Sequence, residues 1–575
     1  MRMRERIRKS FRVLMEHLYL LSWVSRVVKQ FKLYLLGILA LNIAQMLMGI
    51  FFSVFVKQMI DRSTTEDMSG HFVLYAVLLT VWTIGGGILG YLTSMYYVKI
   101  TFSVRKRVYE AVLQAQMLKV TSMSVGDLNT RISSDSSEIA DFACDVFPGL
   151  VGAALQLLVT ACIVFTVNRE ILLVLLAGGA VSAVTMLLLR LRMMPLQEDL
   201  RQASVDESSF QTELCNNLAV VKAMCREDAQ SAHLEQLYHA KVDALRKKNR
   251  FSCVTGTGMD VFFNAGYLLV FGWSLMNLHR GVVTYGTLSM LIALEGYIQG
   301  PVSRFASALP AFVRTLVSAG KLDEVTFIGD TGEMEDGEPP EGDAFRIVAR
   351  DLNFQYPGRD EKVINHFHCD IEPGEIAVIV GPSGGGKTTL LHLLMHLLTP
   401  QTGEIAYITP DGKSYPAGRA LRRRMGYVPQ GNTLFSGTIL DNVCFGVDNA
   451  DEEQAREALR LADALDFVDA MPHGIHSRIG ERNAGLSTGQ AQRISIARAL
   501  MTQPAVLILD EATSALDHDS EKRILTSIAA LPHHPTVLCV THRHAALKYA
   551  DQIIRVTPHG FEYSRECAAD AAATE

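Results

Sequence analysis

Six stretches of about twenty or more mainly apolar residues, at 33–60, 72–98, 146–167, 171–191, 257–278 and 285–305, dominate the first part of the chain. Each is long enough to cross a hydrocarbon layer about 30 Å thick as a helix. In such a layer the backbone has no water to bond, so each stretch must satisfy its own N–H and C=O groups as an α-helix. The sixth, broken by Glu295 and Gln299, is the weakest. Composition agrees with a divided chain. At 49% hydrophobic, 20% charged and a mean hydropathy of +0.18, the 575 residues are too apolar for a soluble enzyme and too charged for membrane throughout.

The connections alternate in length and charge. Those at 61–71, 168–170 and 279–284 are short, whereas 99–145 and 192–256 are long and rich in Lys and Arg. By the positive-inside rule the long connections and the N-terminus are cytoplasmic. Both are poor in Gly and Pro, so spans two to five are expected to continue as helices well beyond the membrane. The basic leader keeps Phe11, Leu14, Leu18, Leu21 and Val24 at helical spacing, which suits a helix lying in the membrane interface, and no cleavage site follows it. Gly86 and Gly90 offer a small face for close helix packing. Asn42, Gln45, Gln156, Asn264, Glu295 and Gln299 are the polar groups within spans that could line a pathway, with Glu295 the first to examine. A formal charge of −6 carries no global signal for nucleic acid, and nine Cys without a CxxC pair read as reduced thiols.

An acidic segment rich in Gly and Pro follows, and beyond it short β-branched runs alternate with helical stretches, as in a doubly wound α/β domain. Within it Gly381, Pro382, Ser383, Gly384, Gly385, Gly386, Lys387 and Thr388 satisfy GxxxxGK[ST], between the apolar run 376–380 and a helical stretch that begins at Thr389. Glycines let backbone N–H groups wrap phosphate oxygens at a helix N-terminus, where the dipole favours anions. Lys387 is expected to reach the β- and γ-phosphates, and Thr388 to ligate Mg²⁺. A second apolar run, 506–509, ends in Asp510 and Glu511. Asp510 is placed to hold the Mg²⁺ hydration shell, and Glu511 to polarise water for in-line attack on the γ-phosphate. His366 and His368 beside Cys369 fit the alternating faces of a strand better than a metal site.

Between these motifs lies Leu486-Ser-Thr-Gly-Gln490, which resembles the signature of the ATP-binding cassette (ABC) family, with Thr488 where Gly is usual. The resemblance implies that Ser487, Gly489 and Gln490 complete the ATP site of an opposite cassette, so turnover needs a dimer. By the same resemblance Tyr356 stacks on adenine, Gln430 contacts Mg²⁺ and the attacking water, 514–517 signals between sites, and His542 senses the γ-phosphate. The segment 479–483 resembles an exporter-specific contact, and 120–126 and 215–222 are candidate coupling helices.

The whole implies a half-transporter of exporter type: an all-α transmembrane domain of six helices extended into the cytoplasm, then an α/β P-loop ABC ATPase domain. The boundaries read as a basic interfacial segment at 1–32, the membrane domain at 33–325, an acidic linker at 326–343, the nucleotide-binding domain at 344–565 and a frayed tail at 566–575. ATP and Mg²⁺ are the implied cofactors. The implied partners are a second half-transporter chain, a homodimer ahead of a heterodimer, the lipid bilayer of the plasma membrane and an unidentified cargo, without nucleic acid. Export by alternating access is the expected activity. Import of a metal chelate and an ATP-gated channel or regulatory receptor are its alternatives.

Overall fold

The computed structural model describes residues 19–63, 67–330, 337–359, 361–431, 433–480, 485–541, 543, 547–557 and 560–564. Six long helices come first: α1 (Lys32–Arg62), α2 (Ser69–Gln114), α3 (Val125–Val167), α4 (Arg169–Asn216), α5 (Glu227–His279) and α6 (Tyr285–Asp330). At 1.5 Å per residue, helices of about 45–53 residues extend roughly 70–80 Å, more than twice the hydrocarbon thickness. The expected continuation of spans two to five beyond the membrane is therefore present. Among the described residues, five helices, α1 to α5, are long and apolar enough to cross a membrane. The sixth, α6, is equally long, but Glu295, Gln299 and Pro301 interrupt its apolar stretch. It also runs to Asp330, five residues into the segment read as linker.

Contacts divide the chain into two units: residues through Glu110 with Val125–Phe327, and Ala111–Ser124 with the chain from Ile328 onward. In the first unit α1, α3, α4, α5 and α6 share an apolar cluster around Ile50, Val164, Ile171, Val270 and Leu294. The most apolar part of α2 buries none of its residues, as a lipid-facing surface requires. Asn168 caps α4, its Oδ1 accepting from the N–H groups of Glu170 and Ile171 at 2.7 and 3.0 Å, which closes the short connection. Gly86 does sit at a helix contact, since a Cβ there would lie 2.9 Å from Gln45 Nε2. Gly90 does not, having nothing within 4 Å. The tightest approaches among these helices are at Gly152, where a Cβ would lie 2.4 Å from Met46 Sδ, and at Gly286, where it would lie 2.4 Å from the Lys57 carbonyl oxygen.

Where α3 and α6 extend, polar pairs replace apolar ones. Arg131 meets Glu324 (2.7 Å), Asp135 accepts from Ser318 (2.6 Å), Arg314 approaches Glu138 (3.3 Å) and Arg304 approaches Asp145 (3.2 Å). The order of these pairs makes the two helices antiparallel. Two π-turns, Arg131–Asp135 and Phe142–Val146, let α3 hold this alignment. Short helices lie at Met117–Thr121 and Leu218–Ala223. The first begins three residues before the expected segment at 120–126 and the second three after that at 215–222. Each starts where the backbone leaves helical geometry, at Gln116 (ψ 133°) and Asn217 (φ −111°).

Among the described residues the second unit holds three sheets. An antiparallel sheet has the order β2-β1-β4-β5, formed by β1 (Arg346–Phe354), β2 (Ile364–Ile371), β4 (Thr402–Ile408) and β5 (Ser414–Pro416). The main sheet has the order β12-β11-β3-β10-β9-β6, formed by β3 (Ile376–Val380), β6 (Met425–Val428), β9 (Val506–Asp510), β10 (Thr536–Val540), β11 (Gln552–Thr557) and β12 (Gly560–Ser564). Its strands are parallel except for β12 at the edge. β7 (Gly437–Thr438) and β8 (Arg478–Ile479) make a small ribbon. β9 and β10 are buried at every position, which explains their uninterrupted apolar runs. Helices α7 (Lys387–Leu394), α8 (Thr488–Met501) and α9 (His518–Ala529) cover this sheet. The eight described cysteines are all free thiols.

Candidate active site

Ligands in open α/β sheets bind beyond the carboxyl ends of parallel strands. Four segments leave the main sheet there: the loop 381–386 after β3, Gln430 after β6, Asp510 and Glu511 at the end of β9, and Thr541 and Arg543 after β10. They are far apart in the chain, but their strands, β3, β10, β9 and β6, are four consecutive strands of the sheet.

The loop after β3 needs its glycines for two reasons. Gly386 has φ +89°, and a Cβ there would lie 2.6 Å from Val363 Cγ1. Gly381, at φ +154°, would place a Cβ 2.5 Å from Val556. Ser383 and Gly384 are exposed at the loop's tip, while Lys387 and Thr389 are buried in the first turn of α7. The Lys387 ammonium donates to the carbonyls of Gly381 and Pro382 at 2.9 and 3.0 Å, so it curls back over the loop it belongs to. The Tyr356 hydroxyl lies 3.1 Å from Thr389 Oγ1, and its ring stands edge-on to Phe354. This fixes a half-buried aromatic beside the loop.

Asp510 is 1% exposed, and neither of its carboxylate oxygens has a hydrogen-bond partner. Burial raises its pKa, the Thr388 hydroxyl lowers it, Glu511 raises it again and Lys387 lowers it. An unpartnered buried carboxylate beside a threonine hydroxyl is the oxygen donor set that a hard divalent cation takes. These residues fit Mg²⁺.

Glu511 has φ +50°, the left-handed region that costs a non-glycine residue about 1–3 kcal/mol. Its N–H bonds to Val540 C=O at 3.0 Å, and its carbonyl accepts from Ser514 N–H at 3.1 Å. Backbone bonds thus hold the turn that aims its carboxylate away from the sheet. There it accepts from Gln430 Nε2 at 2.6 Å.

Ser487 and Gln490 cap each other. Ser487 Oγ accepts from Gln490 N–H at 3.2 Å, and Gln490 Oε1 accepts from Ser487 N–H at 2.8 Å, the reciprocal pair of a capping box. Ser487 and Thr488 remain exposed at the N-terminus of α8, and Thr488, already helical, needs no glycine. Gly489 does, because a Cβ there would lie 3.0 Å from the Ala515 carbonyl.

Two residues that belong to no motif in the sequence also join these loops. Gln492 donates to Ser514 Oγ (3.2 Å) and accepts from Ala515 N–H (3.1 Å), joining α8 to the segment 514–517. Arg543 donates to the carbonyls of Leu516 and Ser514, each at 2.7 Å, and lies 3.5 Å from the buried Glu521. Their signal was positional only: Arg543 follows His542, and Gln492 lies one turn into the signature helix. His542, residues 481–483 and the basic leader 1–18 lie outside the described residues.

In the membrane unit, Asn42, Gln45 and Gln156 line one cavity of about 540 Å³ with Trp82 and Tyr297. Glu295 does not line it. That side chain is buried, and Gln299 donates to it one turn along α6, so it is a helix-paired carboxylate.

Residues 33–302 match the family model of the ABC transporter transmembrane region, and residues 364–514 match that described as ABC transporter. Over 467 residues the chain is 27% identical to proteins of Staphylococcus aureus strains NCTC 8325 and COL, each named "Putative multidrug export ATP-binding/permease protein". The match covers 81% of this chain and 80% of each relative. The fold is also that of a bacterial Atm1-family ABC exporter solved with ATP bound, with a TM-score of 0.78, 20% identity, and coverage of 95% of this chain and 98% of that one. The chain therefore belongs to the ABC transporters, as a multi-pass half-transporter whose membrane helices are fused to a cytoplasmic domain that binds ATP and couples its hydrolysis to transport.

Proposed function

We propose that this chain is half of a dimeric exporter of small molecules, and that Glu511 is the general base for ATP hydrolysis. The contact between Gln430 and Glu511 carries this reading. It joins the residue that ends the β6 connection to the carboxylate nearest the attacking water. Glu511 sits in a left-handed turn and is held by Gln430, whereas Asp510 is buried at the strand end, so two adjacent acids take separate work.

In this reading the loop 381–386 and α7 bind the phosphates, Tyr356 stacks on the adenine, and Lys387 exchanges its two carbonyl partners for β- and γ-phosphate oxygens. Thr388 and Asp510 hold Mg²⁺, with Gln430 at its hydration shell. When bound, the cation neutralises charge developing on the transferred phosphoryl group. Ser487 and Gly489 present the N-terminus of α8 to the γ-phosphate of the partner chain, which supports dimerisation. The segment 111–124 belongs to the ATPase unit although it interrupts the membrane helices, and Leu118 packs beside the core around Phe345. A short helix placed so would pass cassette movement to α2 and α3.

Export of small molecules is supported by the relatives' names. The cargo we propose is an amphiphile with hydrogen-bond donors. Asn42 Oδ1 and Gln45 Oε1 are buried acceptors without donors, and Trp82 and Tyr297 share their cavity.

Glu511→Gln keeps the Gln430 contact and removes the base. ATP affinity should stay within about threefold while steady turnover falls roughly 10²–10⁴-fold. Turnover near wild type in the purified variant would remove Glu511 from this role.

A further inference from the structure

One cavity lies apart from both the nucleotide site and the polar cavity around Gln45. Residues 19–27 form a helix that leads through the turn Lys29–Phe31 into α1. Together with α3 and α6 they enclose about 810 Å³, walled by Leu35, Leu39, Phe142, Phe147 and Phe312. Arg26, Lys29 and Lys32 line the same cavity. Spaced three residues apart, they fall on one side of the chain, and all three are exposed. Among the described residues none forms an ion pair, and Arg26 lies 5.8 Å from the centre of the Tyr19 ring.

The location restricts what can enter. The chain is basic on its cytoplasmic side, so this cavity lies at the cytoplasmic boundary of the membrane, where anionic lipids concentrate. A neutral apolar molecule makes no use of three cations that have no ion-pair partner among the described residues. A soluble anion makes no use of an aromatic and leucine-lined cavity. A ligand with acyl chains and a phosphate uses both. We propose that this is a binding site for an anionic diacyl phospholipid of the cytoplasmic leaflet. Its phosphate sits among Arg26, Lys29 and Lys32, and an acyl chain enters between Phe142, Phe147 and Leu39. The bound lipid joins the first helix to α1 and to α3 and α6, the two helices that carry the polar ladder.

The test uses the full-length chain in neutral detergent, titrated with phosphatidylglycerol, with phosphatidylcholine of the same acyl chains, and with inorganic phosphate. Native mass spectrometry and thermal unfolding provide the readouts. Phosphatidylglycerol should remain as a mass adduct and raise Tm, whereas phosphatidylcholine and phosphate should do neither. Replacing Arg26, Lys29 and Lys32 together by Gln should weaken phosphatidylglycerol binding about 100-fold. Replacing Lys247, Lys248 and Arg250 by Gln removes equal charge from α5 and should leave that binding unchanged. Phe312→Trp fills the cavity without changing charge and should also weaken it, so the proposal stays testable if the triple variant does not fold. Equal binding of the two lipids, competition by inorganic phosphate, or equal loss in both triple variants would overturn it.

Discussion

At the residue scale, the nucleotide site depends on groups held in costly states. Asp510 is buried without a partner, and Glu511 occupies the left-handed region. Both are tolerable because neighbouring backbone bonds hold the turn and because, in the proposed reading, a cation and a water take the open positions. Arg543 belongs to the same arrangement as a positioning residue. Its two 2.7 Å bonds tie the segment 514–517 to β10, and its guanidinium faces Glu521, which also accepts from Thr513 Oγ1 at 2.8 Å. Arg543→Gln should lower stability by about 1–3 kcal/mol, because Glu521 keeps only part of its compensation. It should also cut kcat roughly 10–100-fold with little change in KM for ATP, while Arg543→Lys restores part of kcat. Thermal unfolding and steady-state kinetics on the same preparations separate the two effects. A parallel fall in stability alone would give Arg543 only a structural role.

At the element scale, helix contacts depend on side chains whose spacing says little about their partners. Gly86 and Gly90 look equivalent in sequence, yet only Gly86 faces a neighbour, and Gly152 faces one more closely than either. Gly152→Val should push α3 from α1 at Met46 and Asn42, costing about 1–3 kcal/mol. Gly90→Ala, with open space around it, should be neutral or slightly stabilising through helix propensity, at most about 1 kcal/mol. Thermal unfolding of both variants in the same lipid nanodiscs makes the comparison. Equal shifts would show that the α1–α3 contact does not govern stability. The polar ladder between α3 and α6 likewise leaves no pattern in the sequence. Arg131, Asp135, Glu138 and Asp145 read as charges of a cytoplasmic connection, and their partners lie about 160 to 190 residues later. Short helices at Met117–Thr121 and Leu218–Ala223 overlap the segments expected at 120–126 and 215–222, because both interrupt long helical runs.

At the scale of the whole molecule, one chain carries one phosphate loop and one signature. The proposed dimer requires that each site take its halves from different chains. Lys387→Ala and Ser487→Arg should each abolish turnover when expressed alone. Co-expressed in equal amounts, they should recover about a quarter of wild-type activity, since half of the dimers are mixed and each mixed dimer has one intact site. Measurement of ATPase activity in the co-purified sample decides this. No recovery, with mixed dimers shown by differential tagging, would place both halves of a site in one chain.

What the amino-acid sequence determined by itself was everything local or periodic. Apolar length specified the membrane helices, Lys and Arg bias specified their orientation, and a strand, a glycine loop and a helix in order specified the phosphate loop. Such features depend on the backbone's need for hydrogen bonds and on φ/ψ limits, which act within a few residues. The tertiary structure decided which distant groups meet: Gln430 with Glu511, Arg543 with 514–517, Glu295 with Gln299 instead of the cavity, and three cations with an apolar cavity. Those pairings depend on strand order and helix rotation, which sum many weak contacts over the whole chain and leave no mark at any single position.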